Sequence, residues 1–478
     1  MTALFQPTFE SLREHDYPEW FQDAKFGIWS HWGPQSVPMC GDWYARNMYI
    51  QGSPQYNYHV RHYGHPSVFG YKDICAPWKA EKFDAEELMG LYHRAGARYF
   101  VAQAMHHDNF FNYDSKVNRF NSVNIGPEKD ICAQWKVAAD KYGMPFGLTE
   151  HLGASFSWWY VNKGADSYGP FKGVPYDGND PRYADFYHAN QEHFQSEDFG
   201  KLTQWLTGSK AFQKYWLDTM KELVDTFHPA LLYSDSGLPF EEEGYEAGLE
   251  AVSYLYNDSI ARNGSNQAVY TQKNRDFDVY RVGTLDIEKS QLPGVQPFPW
   301  QTDTCIGNWF YDAKQTYKRP DQIIEMLVDI ISKNGVMLLN VLQRPDGTID
   351  AEARYILEEL EKWFAVCEEG VYGTRPFRVF GEGDTRVTIY GFTEDKTEWN
   401  SSDFRFTKKG DTLYAFMMKA EGGQTMVIKS LLPEEKVESV RLLGVGEVAF
   451  TQYEGVLVGK LPENLPTEYT NCLAVKLG

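Results

Sequence analysis

Short apolar runs that alternate with helical patterns constrain this chain more than any other feature. Lys25–Trp32 (KFGIWSHW), Arg98–Ala104 (RYFVAQA), Met144–Thr149 (MPFGLT), Ala230–Ser234 (ALLYS), Ala268–Thr271 (AVYT) and Val336–Val341 (VMLLNV) each read as a buried strand, and Thr284–Ile287 (TLDI) as a weaker one. Between them, Ala85–Ala95, Phe212–Phe227 and Asp321–Lys333 carry apolar residues at helical spacing. Continuous apolar strands separated by helices argue for a parallel sheet, and about eight such units close a barrel. The pattern changes after Phe377. Arg386–Phe392, Thr412–Met418, Gln424–Ile428 and Val437–Leu443 read as strands split by turn signals such as Lys409-Gly-Asp and Glu421-Gly-Gly. No helical pattern intervenes, which points to an antiparallel sandwich. The expected architecture is α/β: a (β/α)8-like TIM barrel over 1–377, followed by a C-terminal antiparallel β-sandwich over 378–478.

Composition excludes several classes. With 42% hydrophobic and 16% aromatic residues over the whole chain, a large core is available and global disorder is excluded. The formal net charge of −20 disfavours a nucleic-acid partner, because phosphate binding needs a basic surface. No stretch approaches the roughly 18–20 apolar residues of a transmembrane helix, so no membrane partner is expected. Cys40, Cys75, Cys132, Cys305, Cys367 and Cys472 are far apart, which is neither a zinc pattern nor a dense disulfide framework. Free thiols in a reducing compartment are the simplest reading. The N-terminus lacks the charged and apolar regions of a secretory signal. The expected location is cytoplasmic if this N-terminus is native, and periplasmic or secreted if a signal was removed. Oligomeric state is not legible.

In an α/β barrel the chemistry sits at the C-terminal ends of the strands. The first strand ends at His31-Trp32, the second at His106-His107-Asp108, the third at Glu150-His151 and the fourth at Asp235. The sixth reaches Asp286 and Glu288. Histidines that bind hydroxyls, aromatic faces and two carboxylates are the composition of a sugar-hydrolysing site, where one carboxylate attacks or supports the anomeric carbon and the other carries the proton. Polar strand ends also serve simply to satisfy backbone groups. A metal held jointly by His106 and His107 is disfavoured, because adjacent residues on a strand face opposite ways. Neither a metal nor a cofactor is expected.

Lys25-Phe-Gly-Ile-Trp-Ser-His-Trp-Gly, Asp42-Trp-Tyr-Ala-Arg-Asn-Met-Tyr, His106-His-Asp-Asn-Phe and Leu231-Leu-Tyr-Ser-Asp-Ser-Gly follow one another in the order of a known family's motifs. Ser332-Lys-Asn-Gly-Val-Met-Leu-Leu-Asn, Pro345-Asp-Gly, Tyr372-Gly-Thr-Arg-Pro and Phe406-Thr-Lys-Lys-Gly-Asp-Thr-Leu-Tyr-Ala continue the series. The chain resembles the α-L-fucosidases, glycoside hydrolase family twenty-nine. The resemblance implies retaining hydrolysis of terminal α-L-fucose from a fucosylated oligosaccharide or glycoconjugate, through a covalent glycosyl-enzyme.

By the same resemblance, Asp235 matches the nucleophile. His31, His106 and His107 match hydroxyl-binding positions, and Asp42 with Trp43 matches an acidic-Trp pair that closes on the sugar. Tyr233 matches an aromatic that is usually Trp, and Trp309 matches an aromatic near the fucose methyl group. Glu288, in Leu285-Asp-Ile-Glu-Lys, is the first choice for acid/base, because Gln301 stands where the family often has Glu after Trp. Asp286 is the next candidate. Glu150 is expected to contact a sugar hydroxyl or to compete for the acid role. The Asn-Asp-Arg motif usual on the fifth strand is not evident in Tyr270-Thr-Gln-Lys-Asn-Arg, so no Arg is carried over. Two alternatives stay open: hydrolysis of a related sugar (an α-L-galactoside or modified fucose), suggested by Thr149-Glu150-His151, and a catalytically silent glycan-binding protein. The insert Ser167–Gln204 is open to two readings, a leaving-group subsite or a surface loop. The C-terminal unit is open to two readings, a glycan-binding module or, more simply, a stabilising cap on the barrel.

Overall fold

Eight parallel strands form the first sheet of the computed structural model, which describes residues 4–190, 205–241, 244–387, 389, 392, 394 and 396–478. They are β1 (Phe26–Ser30), β2 (Tyr99–Met105), β3 (Phe146–Glu150), β4 (Leu231–Ser234), β5 (Val269–Gln272), β6 (Thr284–Leu285), β7 (Trp300–Cys305) and β8 (Gly335–Asn340). Neighbours in sequence pair in space from β1 to β6, and β8 pairs with both β1 and β7. Closure between β6 and β7 is irregular: Asp286 bridges Gln301, the Ile287 N–H donates to the Gln301 carbonyl (2.9 Å) and the Lys289 N–H to the Asp303 carbonyl (2.9 Å). The barrel is thus closed by single hydrogen bonds where the sequence showed only the weak Thr284–Ile287 run.

All eight barrel strands are buried along their length, as expected when helices cover the outside and side chains fill the inside. The interior is packed by Trp29, Tyr99, Val101, Leu231, Tyr233 and Leu338, among others. Gly27 makes room for this filling, since a Cβ there would lie 2.3 Å from the Tyr99 ring. Strand β7 had no counterpart in the sequence reading. Its interior-facing positions, Gln301 and Asp303, are polar and hydrogen-bonded inside the barrel, so Trp300–Cys305 shows no apolar run.

The second part begins with β9 (Arg375–Glu382), ahead of the expected division at 377/378. It continues through β10 (Phe404–Lys409), β11 (Thr412–Met417), β12 (Thr425–Ile428), β13 (Val437–Leu442), β14 (Gly446–Glu447), β15 (Phe450–Tyr453), β16 (Val456–Lys460) and β17 (Asn471–Leu477). Six of these strands make one antiparallel sheet and three, β12, β16 and β15, make another. Phe404, Leu413, Met417, Met426, Ile428 and Leu457 pack between the two. Alternate residues of β11, Tyr414 and Phe416, belong instead to the barrel's core, where Phe416 meets Trp363 of the helix Ala351–Cys367. Strand β11 is buried on both faces, which is why Leu413–Met418 is continuously apolar. Of the expected strand Arg386–Phe392, Thr388, Tyr390 and Gly391 lie outside the described residues and the rest are not in a strand.

An ion cluster joins the two parts. Asp329, on the barrel helix Pro320–Ser332, pairs with Lys333 (2.8 Å) and with the Arg405 guanidinium of β10. All three residues are almost fully buried.

Candidate active site

The residue immediately after each of β1 to β5 is His31, His106, His151, Asp235 and Lys273, respectively. Parallel strands in register deliver successive strand ends to one rim, so five residues far apart in sequence converge there. Of the site residues expected from sequence, His31, Asp42, Trp43, His106, His107, Tyr233, Asp235, Glu288 and Trp309 line one cavity of about 360 Å³. That volume lies within the range of small-molecule sites. Glu150 does not line it. Strand alternation turns Glu150 away while His151 faces in, and the Glu150 carboxylate accepts the Gly153 N–H (3.1 Å). Asp286 is also absent from the lining. It is buried in the barrel, where Gln301 Nε2 donates to it (2.9 Å).

Asp235 stands at the centre of the charge pattern. Lys273 Nζ lies 2.7 Å from its Oδ1, the Tyr233 hydroxyl 3.0 Å from the same oxygen, and His107 Nε2 3.3 Å from Oδ2. The His107 ring is aimed by its Nδ1, which donates to the His151 carbonyl (2.6 Å). Burial alone would raise the Asp235 carboxyl, but Lys273, His151 and His107 outweigh it and hold it well below the usual carboxylate range. Glu288 shares the same lysine through Oε2. Its carboxyl is pushed up to about 7, by burial first; Lys273 opposes this, and the negative charges of Asp303 and Asp235 add to it. Two carboxylates on one ammonium are separated by no more than two hydrogen-bond lengths, roughly 6 Å.

His31, His106 and His151 offer neutral imidazoles. Burial takes His31 and His106 well below their ordinary value, and His151 down to about 3. Both ring nitrogens of His31 are buried and have no hydrogen-bond partner among the described residues. His106 Nδ1 accepts from the Gln35 amide (2.8 Å), which leaves its proton on Nε2. Asp42 is pushed up to about 7 by burial, and its Oδ1 has no partner among the described residues. A buried polar atom without a partner is destabilising, so His31 and Asp42 are set to meet polar groups that enter the cavity. His31, His106 and His151 also present ring nitrogens within 4.8 Å of one another, a set that could hold a metal ion. This combination takes one histidine from each of three strand ends, so the opposite facing of adjacent His106 and His107 does not exclude it.

Trp309 closes one side, held by Asn340 Nδ2 on its carbonyl (2.9 Å), with the Lys289 ammonium 4.8 Å from its ring centre. Trp43 stacks on Trp205, with centroids 5.7 Å apart. Residues 191–204 of the insert Ser167–Gln204 lie outside the described residues.

The alpha-L-fucosidase family model matches residues 1–369. The chain belongs to the alpha-L-fucosidase family. Among curated fucosidases it is 27% identical to the tissue alpha-L-fucosidase of Rattus norvegicus over 476 residues, covering 97% of this chain and 89% of that one. It is 26% identical to the tissue alpha-L-fucosidase of Homo sapiens, covering 87% and 78%. Among solved fucosidases, the Thermotoga maritima alpha-fucosidase in complex with a mechanism-based inhibitor superposes with a TM-score of 0.76 at 25% identity, covering 99% of this chain and 100% of that one.

Lys273, Asp303, Trp205 and Phe392 line the fucosidase pocket without having been expected from sequence. Lys273 stands where no Arg motif is present, and its position directly after the fifth strand is the signal that marks it. Asp303, which accepts from Tyr233 (3.0 Å) and lies 3.7 Å from Lys273, sits on the strand that polar residues concealed.

Proposed function

We propose that this protein is a retaining exo-α-L-fucosidase that releases terminal α-L-fucose from glycans. Asp235 is the nucleophile and Glu288 the acid/base, and every residue given a role lies within 1–377. The observation that carries the assignment is the shared lysine. Retaining sites place their carboxyls about 5–5.5 Å apart and inverting sites about 6.5–9.5 Å, and two carboxylates on Lys273 suit the shorter spacing.

In the first step the ionised Asp235 attacks the anomeric carbon as the glycosidic bond breaks, and protonated Glu288 gives its proton to the departing oxygen. The product is a fucosyl ester on Asp235 with Glu288 now ionised. In the second step Glu288 takes a proton from water, the hydroxide adds to the anomeric carbon, and Asp235 leaves as carboxylate. His31, His106 and His107 bind fucose hydroxyls, with Asp42 and Trp43 closing over the ring. Trp309 faces the 6-methyl group, where an apolar wall favours the deoxy sugar by a modest margin. The alternative of a different sugar was suggested by Thr149-Glu150-His151, of which His151 lines the cavity and Glu150 does not.

Release of nitrophenol from 4-nitrophenyl α-L-fucoside by wild type and by Asp235→Ala tests the proposal. Turnover lost in the variant and restored by azide, with inverted product stereochemistry, supports it. Near-full turnover by Asp235→Ala refutes the nucleophile, and an inactive wild type refutes the fucosidase assignment.

A further inference from the structure

The cavity is not walled by the barrel alone. Ser290 Oγ donates to the Ile389 carbonyl (3.1 Å), and Gln322 Nε2 donates to the Glu394 carbonyl (3.2 Å). The Glu394 carboxylate pairs with Lys318 Nζ (2.8 Å) and accepts from the Thr304 hydroxyl. These bonds fasten Ile389 and Glu394, which follow β9 in the C-terminal part, to the barrel rim. Phe392 lies between the two anchors, lines the cavity and is 72% exposed.

A solitary exposed phenylalanine would need no explanation. Phe392 is not solitary, because Trp43 and Trp205 line the same cavity and Trp205 is 38% exposed. The cavity therefore has a polar floor of histidines and carboxylates and an aromatic rim. With fucose held by that floor, the group beyond the glycosidic oxygen is directed to the cavity's open side, where the exposed rings of Phe392 and Trp205 lie. A pyranose presents hydroxyls at its edges and an apolar C–H surface on its faces, which is the complement of aromatic rings around a polar opening.

We infer that Phe392, carried by the C-terminal part and pinned by Ile389 and Glu394, forms with Trp43 and Trp205 a leaving-group subsite that takes the pyranose ring next to fucose. The inference rests on the fucosidase reading of the same cavity. It makes the C-terminal part a specificity element as well as a cap.

The test compares wild type with Phe392→Ala on two substrates. One is α-L-fucosyl fluoride, which has no leaving-group ring; the other is whichever of fucosyl-galactose and fucosyl-N-acetylglucosamine the wild type cleaves faster. The ratio of kcat/KM for disaccharide to kcat/KM for fluoride is expected to fall about 5-fold in the variant, the scale of one lost stacking contact. An unchanged ratio overturns the inference. Calorimetry on Asp235→Asn and on Asp235→Asn/Phe392→Ala provides a reading that needs no turnover: the affinity for the disaccharide relative to free fucose should fall by a similar factor. A wild type inert on the fluoride defeats the fucosidase reading, while the calorimetric ratio still upholds or overturns the subsite. A wild type that cleaves the fluoride but neither binds nor cleaves either disaccharide overturns the pyranose as occupant.

Discussion

The Lys273 ammonium lies 2.7 Å from the Asp235 carboxylate and at the same time holds Glu288. One cation thus serves two carboxyls whose tasks need opposite protonation states. The surroundings separate them. Asp235 also faces His107 and His151, whereas Glu288 faces the negative charges of Asp303 and Asp235. Asp235 is held ionised, and Glu288 stays protonated up to about pH 7.

Replacing Lys273 with Met is expected to shift the whole pH profile upward. Its positive charge favours the ionised form of both carboxyls, so its loss raises both, and the acidic and basic limbs of kcat/KM move to higher pH together. Activity at the optimum should fall by roughly 100-fold, the scale of losing one preorganised charge in a dry site. Lys273→Arg keeps the charge and should keep most of the profile. The check is a kcat/KM–pH curve for each variant, and a curve that keeps its wild-type limbs in Lys273→Met contradicts the role.

Glu288→Gln should remove the basic limb. In wild type, activity falls as pH rises through about 7, because the acid loses its proton. The variant has no proton to lose there. Its turnover of fucosyl disaccharides should drop by about 10²–10⁴-fold, with a smaller loss on aryl fucosides in the presence of azide. The same substitution at Asp286 or Glu150 should leave the limb in place, since neither lines the cavity.

His31→Ala should weaken fucose binding and turnover together. Both ring nitrogens are buried at the cavity and have no partner among the described residues. Loss of hydrogen bonds from such a site corresponds to about 1–3 kcal/mol, or roughly 5- to 150-fold in kcat/KM. Calorimetry with fucose and steady-state kinetics should show matching losses.

Asp329→Ala should destabilise the junction between barrel and sandwich by about 3–5 kcal/mol, because Lys333 and Arg405 would remain buried without their partner. Burial alone would raise the Asp329 carboxyl, but Lys333 and Arg405 outweigh it and hold it below its ordinary value. A depressed carboxyl stabilises the fold at pH above its unfolded value of about 3.9, and that contribution is lost as pH falls through the lower folded value. Guanidinium unfolding of wild type and variant at pH 7 and at acid pH measures both effects. The gap between them should close as the acid pH is lowered.

The strand-and-helix alternation made the barrel legible, because parallel strands buried on both faces must be apolar throughout, as in Phe26–Ser30 and Gly335–Asn340. The same reasoning hid β7, whose inward Gln301 and Asp303 replace apolar filling with hydrogen bonds. Histidines and carboxylates just after apolar runs marked most of the site, since a barrel sends every strand end to one rim.

The sequence by itself determined the two-part architecture, the family and the presence of Asp235 and Glu288 at strand ends, because each depends on local periodicity or on motif order. Only the tertiary structure decided which polar groups meet. Lys273 reaches both carboxyls, Glu150 turns away, and Phe392 arrives at the cavity from the C-terminal part. Those outcomes depend on barrel closure, on the facing of single residues within a strand and on hydrogen bonds between residues such as Ser290 and Ile389, 99 positions apart. No local pattern encodes such distances, because they are set by the packing of the whole chain.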